Sequence, residues 1–241
     1  MAANLERPGG KLAARPLHFF WVVDCSGSMF GEKIGIVNDT ITRVLPDMKD
    51  EADNNPNAQL LIRALKFATG ASWLTAAPVS INDYVWEDLD ANGVTDLGQA
   101  FDLLSAQLSV DELGTRALPP VIVLLTDGYP TDNYKKSLDN FKQLPWAKKA
   151  VKIAISIGQD ADDDVLYDFT GNKELVLQAN NASMLAKMIK WASTAISAVS
   201  SGVSNDGGAS KGNEPNAPIQ NGPLVLDMEN IPTPDDAGDV W

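Results

Sequence analysis

The run Val121-Ile122-Val123-Leu124-Leu125-Thr126 most narrows the folds open to this chain. It is short, rich in β-branched residues and shows no alternation of polar and apolar positions. A strand of that kind needs cover on both faces, as in the centre of a parallel sheet. Leu17-His18-Phe19-Phe20-Trp21-Val22-Val23 has the same character. Each run ends at an aspartate and a glycine-containing turn: Asp24-Cys25-Ser26-Gly27-Ser28-Met29 after the first, and Asp127-Gly128-Tyr129-Pro130-Thr131-Asp132 after the second.

Parallel strands need long crossovers, usually helical, and the spacing supplies them. Ile34, Val37, Ile41, Val44, Leu45 and Met48 form one stripe at helical spacing, predicting a helix over Glu32–Met48. Asp50 to Asn57 reads as a loop. Ala58 to Ala68 reads as a strand, Gly70 as a turn, and Ser72 to Ala76 as an antiparallel partner. A short strand is expected around Tyr84 to Trp86. A second helix opens at Gly93-Val94-Thr95-Asp96 and runs to about Leu108, with Thr95 or Asp96 as N-cap. Tyr134–Lys149 reads as a helix with a break at Pro145, Val151–Gly158 as a strand, Asp162–Phe169 as a helix, Glu174–Gln178 as a strand, and Ser183 to about Ser200 as a last helix. The expected fold is an α/β three-layer sandwich, a mostly parallel central sheet with helices on both faces.

Domain organisation follows from composition. Residues 1–16 contain Pro8, Gly9, Gly10 and Pro16 and read as a loosely ordered lead-in without the apolar run of a secretory signal. Residues 17–200 carry the α/β pattern. Residues 201–241 lose periodicity and hold seven acids against one base, Lys211, so they read as an acidic disordered tail. Within that tail, Pro223-Leu224-Val225-Leu226-Asp227-Met228 is an apolar island. It reads as linker or as a strand that adds to a sheet edge. The tail's aspartates are also candidates to reach back to the site described next.

The net charge of −13 disfavours nucleic acid and anionic membrane surfaces as partners. The single cysteine, Cys25, forms no internal disulfide, and no stretch is apolar enough to span a membrane, so a cytoplasmic location is expected.

In an open α/β sheet, ligands bind beyond the carboxyl ends of the strands. Asp24, Ser26, Ser28, Thr95 and Asp127 all fall at that edge in the expected fold. Their donors are carboxylates and hydroxyls, which suit a hard cation, Mg²⁺ or Mn²⁺, rather than zinc. Two carboxylates at most balance a divalent ion and hydroxyls add no charge. Such a site favours a further anionic oxygen, from an Asp or Glu of a protein partner.

These positions resemble the metal-ion-dependent adhesion site of von Willebrand factor A domains, in which the first strand delivers D-x-S-x-S, a later loop a Thr and the fourth strand an Asp. The resemblance covers about residues 17–200. It implies that Ser26, Ser28 and Thr95 contact the metal directly or through water, and that Asp24 and Asp127 ligate it or hold its waters. The stretches Leu124–Asp132 and Ile157–Asp162 further resemble the TerY-type proteins of bacterial tellurite-resistance and stress loci. That likeness implies a protein kinase or phosphatase as partner.

Other chemistries fare less well. An aspartate-nucleophile phosphatase needs a second Asp where Ser26 stands, and the lone histidine, His18, lies at the start of the first strand. No candidate general base accompanies the site, so a non-enzymatic module is expected. A histidine or lysine beside the metal would favour the enzyme, and a purely structural metal is the third reading. Asp88–Gly93 opens like a calcium loop, but its twelfth position is Gln99 rather than Glu. Cys25 reads as a small core residue.

Overall fold

The computed structural model describes residues 14–54, 58–158 and 163–179. The strands are β1 (Arg15–Asp24), β2 (Ala58–Ala68), β3 (Gly70–Trp73), β4 (Val79–Ser80), β5 (Val121–Thr126), β6 (Val151–Ile157) and β7 (Val176–Ala179). The helices are α1 (Glu32–Asp53), α2 (Leu97–Gln107), α3 (Val110–Leu113), α4 (Tyr134–Gln143), α5 (Pro145–Lys149) and α6 (Asp163–Thr170). The expected helix over Ser183–Ser200 and the tail 201–241 lie outside the described residues.

One seven-stranded sheet runs in the order β3-β2-β1-β5-β6-β7, with β4 also pairing with β2. β2, β1, β5, β6 and β7 are parallel, and only β3 and β4 are antiparallel to β2. β1 therefore lies at the centre, with β2 on one side and β5 on the other. This is the α/β sandwich expected from the uninterrupted apolar runs.

The alternation of β1 explains why it carries no polar face. Phe19, Trp21 and Val23 point into the core beneath α1, with Val37, Ile41 and Met48. Phe20 and Val22 point the other way, into the core beneath α2, α4 and α6. There Phe101, Phe141 and Phe169, one from each of those helices, pack with ring centroids 5.7–6.0 Å apart. Fully burying a large apolar side chain stabilises by about 1.5–3 kcal/mol, so two filled faces hold β1 and its carboxyl end rigidly.

Two local expectations are corrected. α1 runs to Asp53, so Asp50–Asp53 is helix rather than loop. Its last turn is polar because it faces solvent, and it accommodates Pro46 within the helix. Tyr84–Trp86 is not a strand; the short strand is β4 at Val79–Ser80. The segment after it is fixed by side chains instead. Asn38 of α1 donates to Leu89 O and accepts from Leu89 N and Trp86 Nε1. The helix break at Pro145 is as expected, with Pro145 opening α5.

Candidate metal centre at the carboxyl edge

β1 ends at Asp24 and β5 at Thr126, side by side in the sheet. The chain leaves both strands in loops that cross-brace each other. Gly27 N donates to Gly93 O at 3.0 Å, and Asn92 N donates to Cys25 O at 2.8 Å. These bonds take up backbone groups of the segment that opened like a calcium loop, and the element directly before it is the strand β4 rather than a helix. Gly93 has φ +83°, and a Cβ there would run into Thr69 Oγ1, so only glycine allows this close crossing. Thr95 is held through its backbone: its N–H donates to Thr131 Oγ1 at 3.0 Å, and its carbonyl accepts from Thr131 N at 2.9 Å. Thr95 is therefore not the N-cap of α2. Asp96 holds the N-cap position, but its carboxylate accepts from Gly70 N and Gln99 Nε2. The free N–H groups of Gly98 and Gln99 are met by Asp132, from the loop after β5.

All five expected site residues meet at this edge. Ser26 N donates to Asp24 Oδ1 at 2.8 Å, and Thr126 Oγ1 donates to Asp24 Oδ2 at 2.5 Å. Ser26 Oγ and Ser28 Oγ lie 3.1 Å apart, and Ser28 Oγ donates to Asp127 Oδ1 at 2.7 Å. Thr95 joins through Gly128. A Cβ built on Gly128 would stand 3.3 Å from Ser28 Oγ, 3.9 Å from Thr95 Oγ1 and 4.0 Å from Asp24 Oδ2. Oxygens from β1 and its loop and from the loop before α2 thus face one point, on the third loop, that glycine leaves open.

Asp24, Ser26, Thr95 and Asp127 are buried, whereas Ser28 is exposed. Burial pushes the Asp24 carboxyl above its ordinary range; hydrogen bonds from Thr126 and Ser26 oppose the shift, and neighbouring Asp127 adds to it. Among the described residues no group of three or more His, Cys, Asp and Glu is placed to hold a metal. The donors that converge here are two carboxylates and three hydroxyls, a set for a hard oxygen-seeking cation.

One participant was absent from the sequence reading. Lys33, in the first turn of α1, reaches Asp127 Oδ2 with Nζ at 2.5 Å. A signal for it existed: a lysine in a helix's first turn opposes the macrodipole and calls for an anion nearby. His18 is far from this edge. Its Nε2 lies 3.1 Å from Leu113 O, and burial lowers its pKa. Cys25 is buried, and its thiol is pushed up to about 12 by burial, so it is not a reactive thiolate. Trp73 packs under the Arg63 guanidinium, 4.1 Å from its ring centroid, and serves the fold.

No helix of the described residues is long and apolar enough to cross a membrane. By direct sequence comparison no curated protein matches the chain. Solved structures do. VWA2, the ArnB paralog of Sulfolobus acidocaldarius, superposes with a TM-score of 0.54 at 20% identity, over 75% of this chain and 46% of that one. Proximal thread matrix protein 1 from the mussel byssus, solved with a zinc-occupied MIDAS motif, gives 0.54 at 17% identity, over 76% and 46%. The pilus adhesin SpaC of Lactobacillus rhamnosus GG gives 0.62 at 14% identity, over 78% and 31%. The chain thus spans less than half the length of these proteins. The family model for the von Willebrand factor type A domain matches residues 20–191. With that match over most of its length and the same sheet architecture, the chain belongs to the von Willebrand factor type A domain family.

Proposed function

We infer that the chain is a metal-dependent protein-interaction module. Asp24, Ser26, Ser28, Thr95 and Asp127 hold Mg²⁺ or Mn²⁺, and the loaded site takes an Asp or Glu side chain from a protein partner. The observation that carries this reading is the set of oxygens around the open point at Gly128, together with Lys33. When bound, the ion supplies a Lewis-acidic position for an anionic oxygen. The two aspartates balance a divalent ion, and Lys33 then leaves the site with one net positive charge. A carboxylate from outside completes that balance. The Lys33–Asp127 pair also keeps two buried carboxylates from facing each other uncompensated before the ion arrives. In the cell the partner is a kinase or phosphatase of a bacterial tellurite-resistance or stress-response system, as the TerY likeness implies.

The test is calorimetric titration with Mg²⁺ and Mn²⁺, followed by capture from native lysate with and without EDTA. Binding of neither ion, or a partner set indifferent to EDTA, overturns the reading.

Lys33 also bears on a second reading, a metal-dependent phosphatase or hydrolase, because it places a cation beside the aspartates. That lysine is engaged as a cation in its ion pair, so it can stabilise negative charge but does not supply a base. Hydrolysis of p-nitrophenyl phosphate that requires Mg²⁺ and is lost in Lys33→Ala would favour the enzyme.

A further inference from the structure

Large apolar side chains are rarely left in water without a reason when they cluster. Five are exposed among the described residues: Phe30, Val85, Val94, Val110 and Tyr129. Three of the five belong to the site's own loops. Phe30 is 77% exposed and follows Ser28 by two residues. Val94, 45% exposed, precedes Thr95. Tyr129, 62% exposed, follows Asp127 by two. The bond from Gly27 N to Gly93 O joins the first loop to the second, and Gly128 abuts both Ser28 and Thr95. With the ion bound, the candidate metal position is therefore polar and positive at its centre, and the loops that form it carry exposed apolar side chains. A ligand that fits both parts is a single carboxylate flanked on each side by bulky apolar side chains.

The chain contains one such segment beyond the described residues. Of the seven acids in residues 201–241, only Asp227 has a large apolar neighbour on both sides, Leu226 and Met228. Leu224 and Val225 extend the apolar stretch. Glu214, Asp235 and Asp236 border proline, alanine or another acid; Asp206 and Asp239 each adjoin glycine, and Glu229 adjoins Asn230. Reach is no obstacle. β7 ends at Ala179 on the same sheet edge as the site. The stretch of about 25 residues between Ser200 and Asp227 alone spans roughly 80 Å when extended.

We propose that Leu224-Val225-Leu226-Asp227-Met228 docks on this rim within its own molecule, with the Asp227 carboxylate at the metal and its apolar neighbours against Phe30, Val94 and Tyr129. The proposal rests on the metal-dependent reading of the site. It adds a regulator: the segment is an internal competitor that a partner carboxylate must displace. Association with an internal segment carries a high effective concentration, so modest intrinsic affinity suffices.

Hydrogen exchange on the full chain, with and without saturating Mg²⁺, tests this. The amides of residues 224–228 should exchange about tenfold more slowly with Mg²⁺, the ratio that corresponds to about 1.4 kcal/mol. The protection should disappear in Asp227→Asn and in the double variant Phe30→Ser/Tyr129→Ser. Phe30 and Tyr129 are exposed, so an unchanged melting temperature will certify the fold. Protection that is absent, indifferent to Mg²⁺, retained in either variant, or located at residues 235–241 overturns the proposal. So does protection that rises with protein concentration, which would seat a second copy instead. Calorimetry on the same samples separates the two ideas. Heat of Mg²⁺ binding without protection of 224–228 removes the internal ligand and leaves the adhesion reading standing, whereas no Mg²⁺ binding removes both.

Discussion

His18 and Asp24 lie on the same central strand, both buried, and the fold treats them in opposite ways. Asp24 sits at the carboxyl end, where the last residue of β5 supplies a hydroxyl and the loop after β1 an N–H to its two oxygens, and a lysine neutralises the neighbouring aspartate. His18 sits toward the amino end, roughly 20 Å away along the strand. It has one backbone partner at Nε2, and its buried Nδ1 has none among the described residues. At one end, a buried charge is provided for and an opening is left beside it. At the other, an ionisable ring is used as a flat apolar filler stacked near Phe20, with centroids 6.1 Å apart. Burial of a titratable group is therefore no guide to function here; surplus coordination around an open point is.

Breaking the carboxyl end should have the largest effect. Asp24→Ala removes a metal donor and leaves the Thr126 hydroxyl proton and Ser26 N without their acceptor. Mg²⁺ affinity should fall by about 100-fold or more in calorimetry. Stability should fall by only about 1–3 kcal/mol in urea, with melting still cooperative. Failure to fold would instead make the metal structural. Gly128→Ala comes next. Its methyl group would stand 3.3 Å from Ser28 Oγ inside the cradle. Mg²⁺ affinity should drop roughly tenfold, worth about 1.4 kcal/mol, with the melting temperature nearly unchanged.

Lys33→Met sharpens the contrast, because it removes the cation that the amino end lacks. Metal-free protein should melt lower, and Mg²⁺ should bind several-fold tighter, since a like charge has left. The Mg²⁺-induced rise in melting temperature should grow accordingly.

The two ends also respond to pH with opposite sign. His18 has its folded pKa below the ordinary 6.5, so its contribution is present above 6.5 and is lost as pH falls below it. Asp24 has its folded pKa above 3.8, so without metal its contribution is present below 3.8 and is lost as pH rises through the raised value. His18→Leu should flatten the decline in melting temperature as pH falls below about 6.5. The smallest effect belongs to Cys25. With its thiol at about 12 and buried, it should stay unreactive toward DTNB until the protein unfolds.

Much of this was legible in the sequence, for reasons that differ by residue. β1 and β5 declared themselves because a strand buried on both faces has no polar alternation, and Asp24 and Asp127 stand where those runs stop. Thr95 was reachable only through the spacing of a known motif; as a local signal it read equally well as an N-cap. The loop from Val85 to Asn92 was not legible, because its conformation depends on Asn38, 51 residues before Leu89 in the chain. Lys33 was visible as a helix-start anomaly but could not be paired with Asp127 before β1 and β5 were known to be neighbours. Asp132 escaped for the same reason: it caps a helix from a loop that follows a different strand.

Thr126 gives the site a mechanical property. Its hydroxyl donates to Asp24 Oδ2 while accepting from Gly128 N at 3.3 Å. One oxygen thus pins the last residue of β1 to the loop that carries Tyr129. A partner pulling on that loop loads the same pin that aims Asp24, so tension on the rim and the grip at the centre are one quantity rather than two.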